Sequence, residues 1–237
     1  MKCILLSAGK GERLLPYTKD KPKSILDLGG TNLMEIWLKK VKKLNLDEII
    51  INTHHLNKIL ETEINRIINK SKIKNVTIIY EHNLLGTAGT LWSLKDKIND
   101  DFFVINTDVF AEIDLDDIKL NFLNNNLNCL MAYDYRSDTN GCGIIEFAED
   151  LFINKFIEKN HDNKPGFVFS GILIFSKNIF KLMPFEEFSK NNYKGLDTGY
   201  HVLPKILKTT KGFKIHGKVI DLRDESKLIE LKKYINN

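Results

Sequence analysis

Apolar runs of strand length alternate with longer segments of helical period through the first half of the chain, and this alternation restricts the fold more than any other feature of the sequence. Residues 3–7, 48–52, 76–80 and 102–105 are the short runs, the third of them rich in β-branched side chains. Between them Leu33, Ile36, Trp37, Leu38 and Val41 recur at helical spacing over 32–44, and helices are predicted over 56–68 and 87–98 as well. Strands that read as continuous apolar runs are those buried on both faces. Repeated strand and helix therefore predict a mostly parallel sheet with helices on both faces.

Beyond about residue 108 the rhythm changes. The short runs 130–133, 143–147, 152–158 and 167–175 follow one another with less helix between them, which predicts a small antiparallel or mixed extension of the first sheet. Helical patterns return at 177–182, 198–207 and 225–235. With no internal repeat and no low-complexity linker, one domain over 1–237 is the economical expectation, its halves being 1–110 and 111–237.

Composition narrows the function classes. A chain of 237 residues, 43% hydrophobic, can bury one substantial core. Its 35 basic and 31 acidic side chains leave a net charge of +4, and both signs are spread along the chain. That mixture reads as a solvated surface and argues against a nucleic-acid partner. Cys3, Cys129 and Cys142 lie far apart, without the spacing of a disulfide framework or a zinc site, and suit a reducing compartment. No apolar stretch reaches a membrane span and no signal-peptide pattern opens the chain, so the expectation is a cytoplasmic protein without a membrane partner.

The stretch SAGKGERLLPYTKDKPKS, from Ser7 to Ser24, follows the first apolar run directly. It is neither a P-loop, since G-x-x-x-x-G-K-[ST] is absent, nor a dinucleotide fingerprint, since Gly9 and Gly11 lack the third glycine. What remains is a glycine-rich turn at the carboxyl end of a strand, where ligands bind in open α/β sheets. Glycines there let backbone N–H groups approach a phosphate or base. Arg13 adds a planar fork suited to phosphate oxygens and Lys23 a mobile point charge. Pro16 and Pro22 would stiffen the loop. A plain surface loop with scattered basic residues is the other reading of the stretch on its own.

This stretch resembles the signature of the sugar-1-phosphate nucleotidyltransferases, which open with a similar strand, a turn containing G-x-G-x-R and a Pro-Lys dipeptide about ten residues on. Further segments resemble that family in order: EHNLLGTAGTL from Glu81, INTD ending at Asp108, FIEK ending at Lys159, FSGI from Phe169, and VID ending at Asp221. The resemblance spans nearly the whole chain, looks closest to the hexose or heptose guanylyltransferases, and implies a Rossmann-like, GT-A-like α/β fold. It implies that Arg13 and Lys23 are catalytic and that Ser7, Ala8, Gly9, Gly11, Glu81, Gly86 and Thr87 bind the nucleotide. Asn106, Gly143, Glu158, Lys159, Ser170 and Arg223 would bind the sugar phosphate, and Asp108 and Asp221 a Mg²⁺ ion. The implied reaction joins a nucleoside triphosphate, GTP favoured, to a hexose or heptose 1-phosphate, with release of pyrophosphate and with a homodimer left open.

Each segment also has an ordinary reading. An aspartate after a strand serves equally as a turn or cap residue, Glu158 and Lys159 as an exposed ion pair, and the small residues from Gly86 as a closely packed helix start. Both Glu158 and Lys159 can face one site only if the strand ends or bends there, in the loop from Asn160 to Asn163. His54 and His55 lack further ligands at zinc spacing, and Phe167, Phe169 and Phe175 read as core rather than a stacking platform. After Asp221 the chain departs from the family's Ile-Gly-Thr-Pro-Glu with Leu222, Arg223, Asp224, Glu225 and Ser226. Arg223 would contact the sugar phosphate or a substrate carboxylate, or pair with Asp224. Transfer from UTP or CTP, a phosphorylated non-sugar acceptor, and a non-catalytic nucleotide-sugar-binding protein are the alternatives.

Overall fold

The computed structural model describes residues 1–159, 161–183, 190 and 195–237. In chain order the elements are β1 (Lys2–Leu6), α1 (Leu33–Lys43), β2 (Glu48–Thr53), α2 (Asn57–Ser71), β3 (Val76–Tyr80), α3 (Thr87–Ser93), β4 (Phe102–Asn106) and β5 (Val109–Ala111). There follow α4 (Leu115–Leu123), β6 (Cys129–Arg136), β7 (Ile144–Phe147), β8 (Ile153–Ile157), β9 (Gly166–Phe175) and α5 (Ile179–Leu182). Next come α6 (Thr198–His201), α7 (Leu203–Ile206), β10 (Thr210–Lys214), β11 (Val219–Asp221) and α8 (Glu225–Asn236). The protein is mixed α/β, with a mostly parallel central sheet and added antiparallel strands, the class that the alternation predicts.

The chain forms two compact units. The first contains Met1–His82, Ile105–Leu115 and Gly217–Asn237, and the second Asn83–Val104 and Asp116–His216. In the first, β1, β2 and β3 pair in parallel, with Leu6 opposite Asn52 and Thr53 opposite Tyr80. The centres of β1 and β2 are buried, as their apolar runs require, whereas β3 is only partly covered despite an equally apolar sequence. Asn32 caps α1 by accepting the Glu35 N–H, and the stripe Leu33, Met34, Trp37, Leu38, Val41 is buried. Trp37 Nε1 also donates to the Val109 carbonyl at 2.7 Å. Strand β11 pairs antiparallel with β5, so Asp221 lies opposite Val109. Leu14, Leu28, Ile220, Leu222 and Leu228 form one apolar cluster that fixes the turn after β1 against β11 and α8.

In the second unit β6 pairs in parallel with β10 and antiparallel with β9, and β7 pairs antiparallel with β8 and β9. Three elements here and in the first unit go beyond the predicted ones: β5, α4 and β10. The helix predicted over 198–207 is broken into α6 and α7 followed by a tight turn, because Pro204 opens α7 and cannot donate to the preceding turn. Likewise the helix predicted over 87–98 stops at Ser93 and continues as a 3₁₀ turn, Lys95–Lys97. Among the described residues no helix is long and apolar enough to cross a membrane.

Candidate active site

In the first unit, the turn after β1 is held by polar contacts rather than by regular structure. The Ser7 N–H donates to Asn52 Oδ1 at 2.7 Å, and the Ser7 and Ser24 hydroxyls lie 2.8 Å apart. Ala8 is buried, Gly9 is exposed, and a side chain at Gly9 would meet open space. Gly11 has φ +69°, a left-handed conformation suited to glycine, and a Cβ there would press on the Thr18 methyl at 2.9 Å. Thr18 closes the turn by donating its hydroxyl to the Gly11 carbonyl at 2.8 Å. Arg13 projects from the short 3₁₀ helix Glu12–Leu14 and is exposed, while its neighbour Leu14 is buried in the cluster beneath.

Lys23, just after Pro22, extends its Nζ to 2.8 Å from Asp108 Oδ2. Asp108 is brought there by Thr107, whose N–H and hydroxyl both reach the Leu6 carbonyl at the end of β1. Burial opposes ionisation of Asp108, yet the charge and hydrogen bond of Lys23, with the field of Arg13, outweigh it and hold the carboxyl below the ordinary range. Asp221 ends β11 beside this turn: the Leu222 N–H donates to the Asp108 carbonyl at 2.9 Å. The two aspartates predicted to bind metal, 113 residues apart in sequence, thus meet at one end of the β5–β11 pair, Asp221 ending β11 and Asp108 in the turn just before β5. Asn106 ends β4 two residues before Asp108 and is partly buried. Arg223 is largely buried, its Nε 3.7 Å from Asp224 Oδ2, and its N–H donates to the Asp221 carbonyl.

Glu81, one of the residues expected to bind the nucleotide, is buried just beyond β3 and accepts a hydrogen bond from Asn52 Nδ2 at 2.9 Å. The sequence gives no sign of that partnership. His54 follows the same pattern, its Nδ1 2.8 Å from the Glu81 carbonyl. No group of three or more His, Cys, Asp or Glu side chains arranged for a metal occurs among the described residues.

The second unit gathers another set. Glu158 follows β8, and Lys159 has φ +51°, so the strand ends in the bend that both side chains require. Asn160 lies outside the described residues. Burial first, and then the like charge of Asp197, push the Glu158 carboxyl up to about 7, against the opposing pull of Lys159. Lys159 Nζ lies 5.5 Å from the centre of the Tyr200 ring. Two glycines shape the space around Glu158: a Cβ on Gly143 would strike the Phe156 ring at 2.7 Å and approach Glu158 Oε2 to 3.4 Å, and one on Gly199 would collide with the Glu158 carboxylate. Asp197 caps α6 by accepting the Gly199 N–H at 2.7 Å.

Gly86 has φ +79°, and any side chain there would collide with the Leu196 backbone. The Ala88 and Gly89 amides at the start of α3 both donate to the Leu196 carbonyl. The Thr87 hydroxyl accepts the Thr198 N–H at 2.7 Å. Ser170 is fully buried and donates to Asp134 Oδ1 at 2.6 Å, while Asp134 also holds Arg136 at 2.8 Å. As placed, the Ser170 hydroxyl serves the interior of β6 and β9. Phe175 is fully buried; Phe167 and Phe169 are partly buried.

A family model described as nucleotidyl transferase matches residues 2–217. The chain belongs to this nucleotidyl transferase family. Among curated relatives of the family, the bifunctional protein GlmU of Methanocaldococcus jannaschii is 28% identical over 99% of the chain and 54% of its own length. The chain thus spans about half the length of that relative. The D-glycero-alpha-D-manno-heptose 1-phosphate guanylyltransferase of Campylobacter jejuni is 28% identical over 83% of the chain and 88% of its own length. Among solved structures, HddC from Yersinia pseudotuberculosis superposes with a TM-score of 0.79 at 22% identity, covering 99% of both chains, a likeness of fold.

Proposed function

We propose that the protein transfers a guanylyl group from GTP to a hexose or heptose 1-phosphate, releasing pyrophosphate. An oxygen of the sugar phosphate attacks the α-phosphorus, a new phosphoanhydride bond forms, and the bond to the β-phosphate breaks. The acceptor phosphate is already a nucleophile, so the protein supplies position and charge neutralisation. The observation that carries this reading is the Lys23–Asp108 pair, 2.8 Å apart at the mouth of the glycine turn. A cation beside a carboxylate supports the reading, because a metal-bound triphosphate needs both.

Arg13, exposed on the same turn, neutralises the departing pyrophosphate, and Lys23 neutralises the α-phosphate as the acceptor phosphate approaches. Asp108, in the turn before β5, and Asp221, at the end of β11, offer only carboxylate oxygens, a hard donor set that fits Mg²⁺ if substrate phosphate and water complete the shell. The ion, when bound, supplies positive charge to the phosphates. In the second unit the Glu158 carboxylate accepts hydrogen bonds from sugar hydroxyls and Lys159 meets the sugar phosphate. The preference for GTP and for a hexose or heptose rests on the Campylobacter relative, of which the chain covers 88%.

The test is pyrophosphate release with each of four nucleoside triphosphates against hexose, heptose and non-sugar phosphates. Magnesium-dependent release with GTP and a sugar 1-phosphate is expected. Release with UTP or CTP instead would correct the base alone, and no acceptor-dependent release from any pair would remove the reading.

A further inference from the structure

Three parallel strands end side by side in the first unit, and the residue at or just beyond each end is polar. Leu6 pairs with Asn52, so Ser7 follows directly, and Thr53 pairs with Tyr80, so Glu81 follows that strand. Ser7 N, Asn52 and Glu81 form a continuous line of hydrogen bonds, 2.7 Å from Ser7 N to Asn52 Oδ1 and 2.9 Å from Asn52 Nδ2 to Glu81 Oε1. The Glu81 N–H is itself anchored on the Thr53 carbonyl at 2.8 Å, which fixes where its side chain starts. Asn52 and Glu81 are both buried, at 3% and 6% exposure, so neither end can turn to water instead.

The polarity of this line admits one arrangement. A backbone N–H only donates, so the Asn52 atom facing Ser7 must be its oxygen. The Glu81 Oε1 atom accepts, so the Asn52 atom facing it is the NH₂ group. The two demands agree, and the amide cannot flip without breaking both bonds.

We propose that Asn52 is a positioning residue for the nucleotide turn and that Glu81 acts through it. The pair holds the Ser7 amide, and with it the entry of the turn from Ala8 to Gly11, in the conformation that receives the triphosphate. The nucleotide part of this statement rests on the proposed function; the hydrogen-bond relay does not. It gives Glu81 a task independent of the identity of the base, and it predicts that polarity, not shape, is what position 52 must keep.

Reversing the polarity tests it. Asn52→Asp still accepts the Ser7 N–H but sets a second carboxylate against Glu81. Glu81→Gln on the Asn52→Asp background restores a donor facing an acceptor, with the roles exchanged. The readouts are hydrogen exchange at the Ser7 amide, affinity for inorganic tripolyphosphate, and the KM and kcat for GTP. For Asn52→Asp we expect Ser7 exchange faster by about tenfold, tripolyphosphate affinity lower and GTP KM higher by a similar factor, with kcat within about threefold. The double variant should return exchange and tripolyphosphate affinity to within about threefold of the parent.

A double variant no better protected than Asn52→Asp, or an Asn52→Asp protein with parental Ser7 exchange, would overturn the proposal. If Asn52→Asp does not fold, a folded double variant supports the relay and an unfolded one overturns it. Recovery of tripolyphosphate affinity without recovery of GTP affinity supports the relay and adds a base contact to Glu81. A parent protein with a protected Ser7 amide and no transfer activity would sink the proposed function and leave the relay standing.

Discussion

Arg13 stands on the solvent side of a turn whose inner residue, Leu14, is locked into the core. Removing its guanidinium should therefore spare the fold and touch only the charge presented to a leaving group. Arg13→Ala is expected to lower kcat by on the order of 100-fold, comparable with loss of one transition-state donor, while thermal unfolding stays unchanged. Near-parental pyrophosphate release would dismiss the assigned role. Glu158 offers a prediction of a different kind, because its carboxyl is pushed up to about 7 by burial and by Asp197. An acid whose folded pKa exceeds its unfolded value binds more protons when folded, so its contribution to stability falls as pH rises from about 4.5 to about 7. Glu158→Gln should flatten that slope, which chemical denaturation at several pH values measures. The ionised form is the better acceptor for sugar hydroxyls, so the acceptor KM should fall as pH rises through the same range in the parent and not in Glu158→Gln. A parallel slope in both proteins would mean that burial and Asp197 do not raise the Glu158 carboxyl.

At the scale of elements, the sequence exposed what periodicity and composition encode and concealed what depends on distant partners. The apolar runs at β1, β2 and β4 were legible because continuous burial leaves a continuous hydrophobic signal, whereas β3 carries such a run while only partly covered. Strand β5 has three residues, too few for any period, and exists through pairing with β11 more than a hundred residues later. The Lys23–Asp108 pair was legible only as two separate expectations, and the roles of Asn52 and Asp197 not at all, since an asparagine or aspartate does not announce which atom it will face. Glycine was the more informative residue. Gly199 leads α6 past the Glu158 carboxylate at a distance that excludes a Cβ, yet what stands in the way is the end of a flexible side chain. Gly199→Ala should therefore fold normally, displace Glu158, and raise the acceptor KM several-fold while leaving the nucleotide KM alone. Gly86→Ala meets rigid backbone at a positive φ instead, so it is expected to lose about 2 kcal/mol or more of stability, read by urea unfolding. Equal behaviour of the two variants would contradict the distinction between movable and fixed neighbours.

For the whole molecule, the proposed chemistry makes stability depend on ligand. The turn after β1, Lys23, Asp108, Asp221 and Arg223 all belong to one compact unit. A ligand that binds only the folded chain stabilises it by RT ln(1 + [L]/Kd), about 2.7 kcal/mol at a hundredfold excess over Kd. GTP with Mg²⁺ should therefore raise the melting temperature by several degrees, and more than either component alone, because in the proposed site phosphate oxygens would complete the coordination that two carboxylates would begin. Asp221→Asn should abolish the extra shift from Mg²⁺ while keeping part of the shift from nucleotide. Lys23→Ala should weaken the nucleotide shift and, by freeing Asp108 from its ion pair, strengthen the response to metal alone. The opposite signs matter: a variant that merely loosened the fold would lower the melting temperature with and without ligand by the same amount, whereas loss of a cation from between a carboxylate and a triphosphate must move the two responses apart.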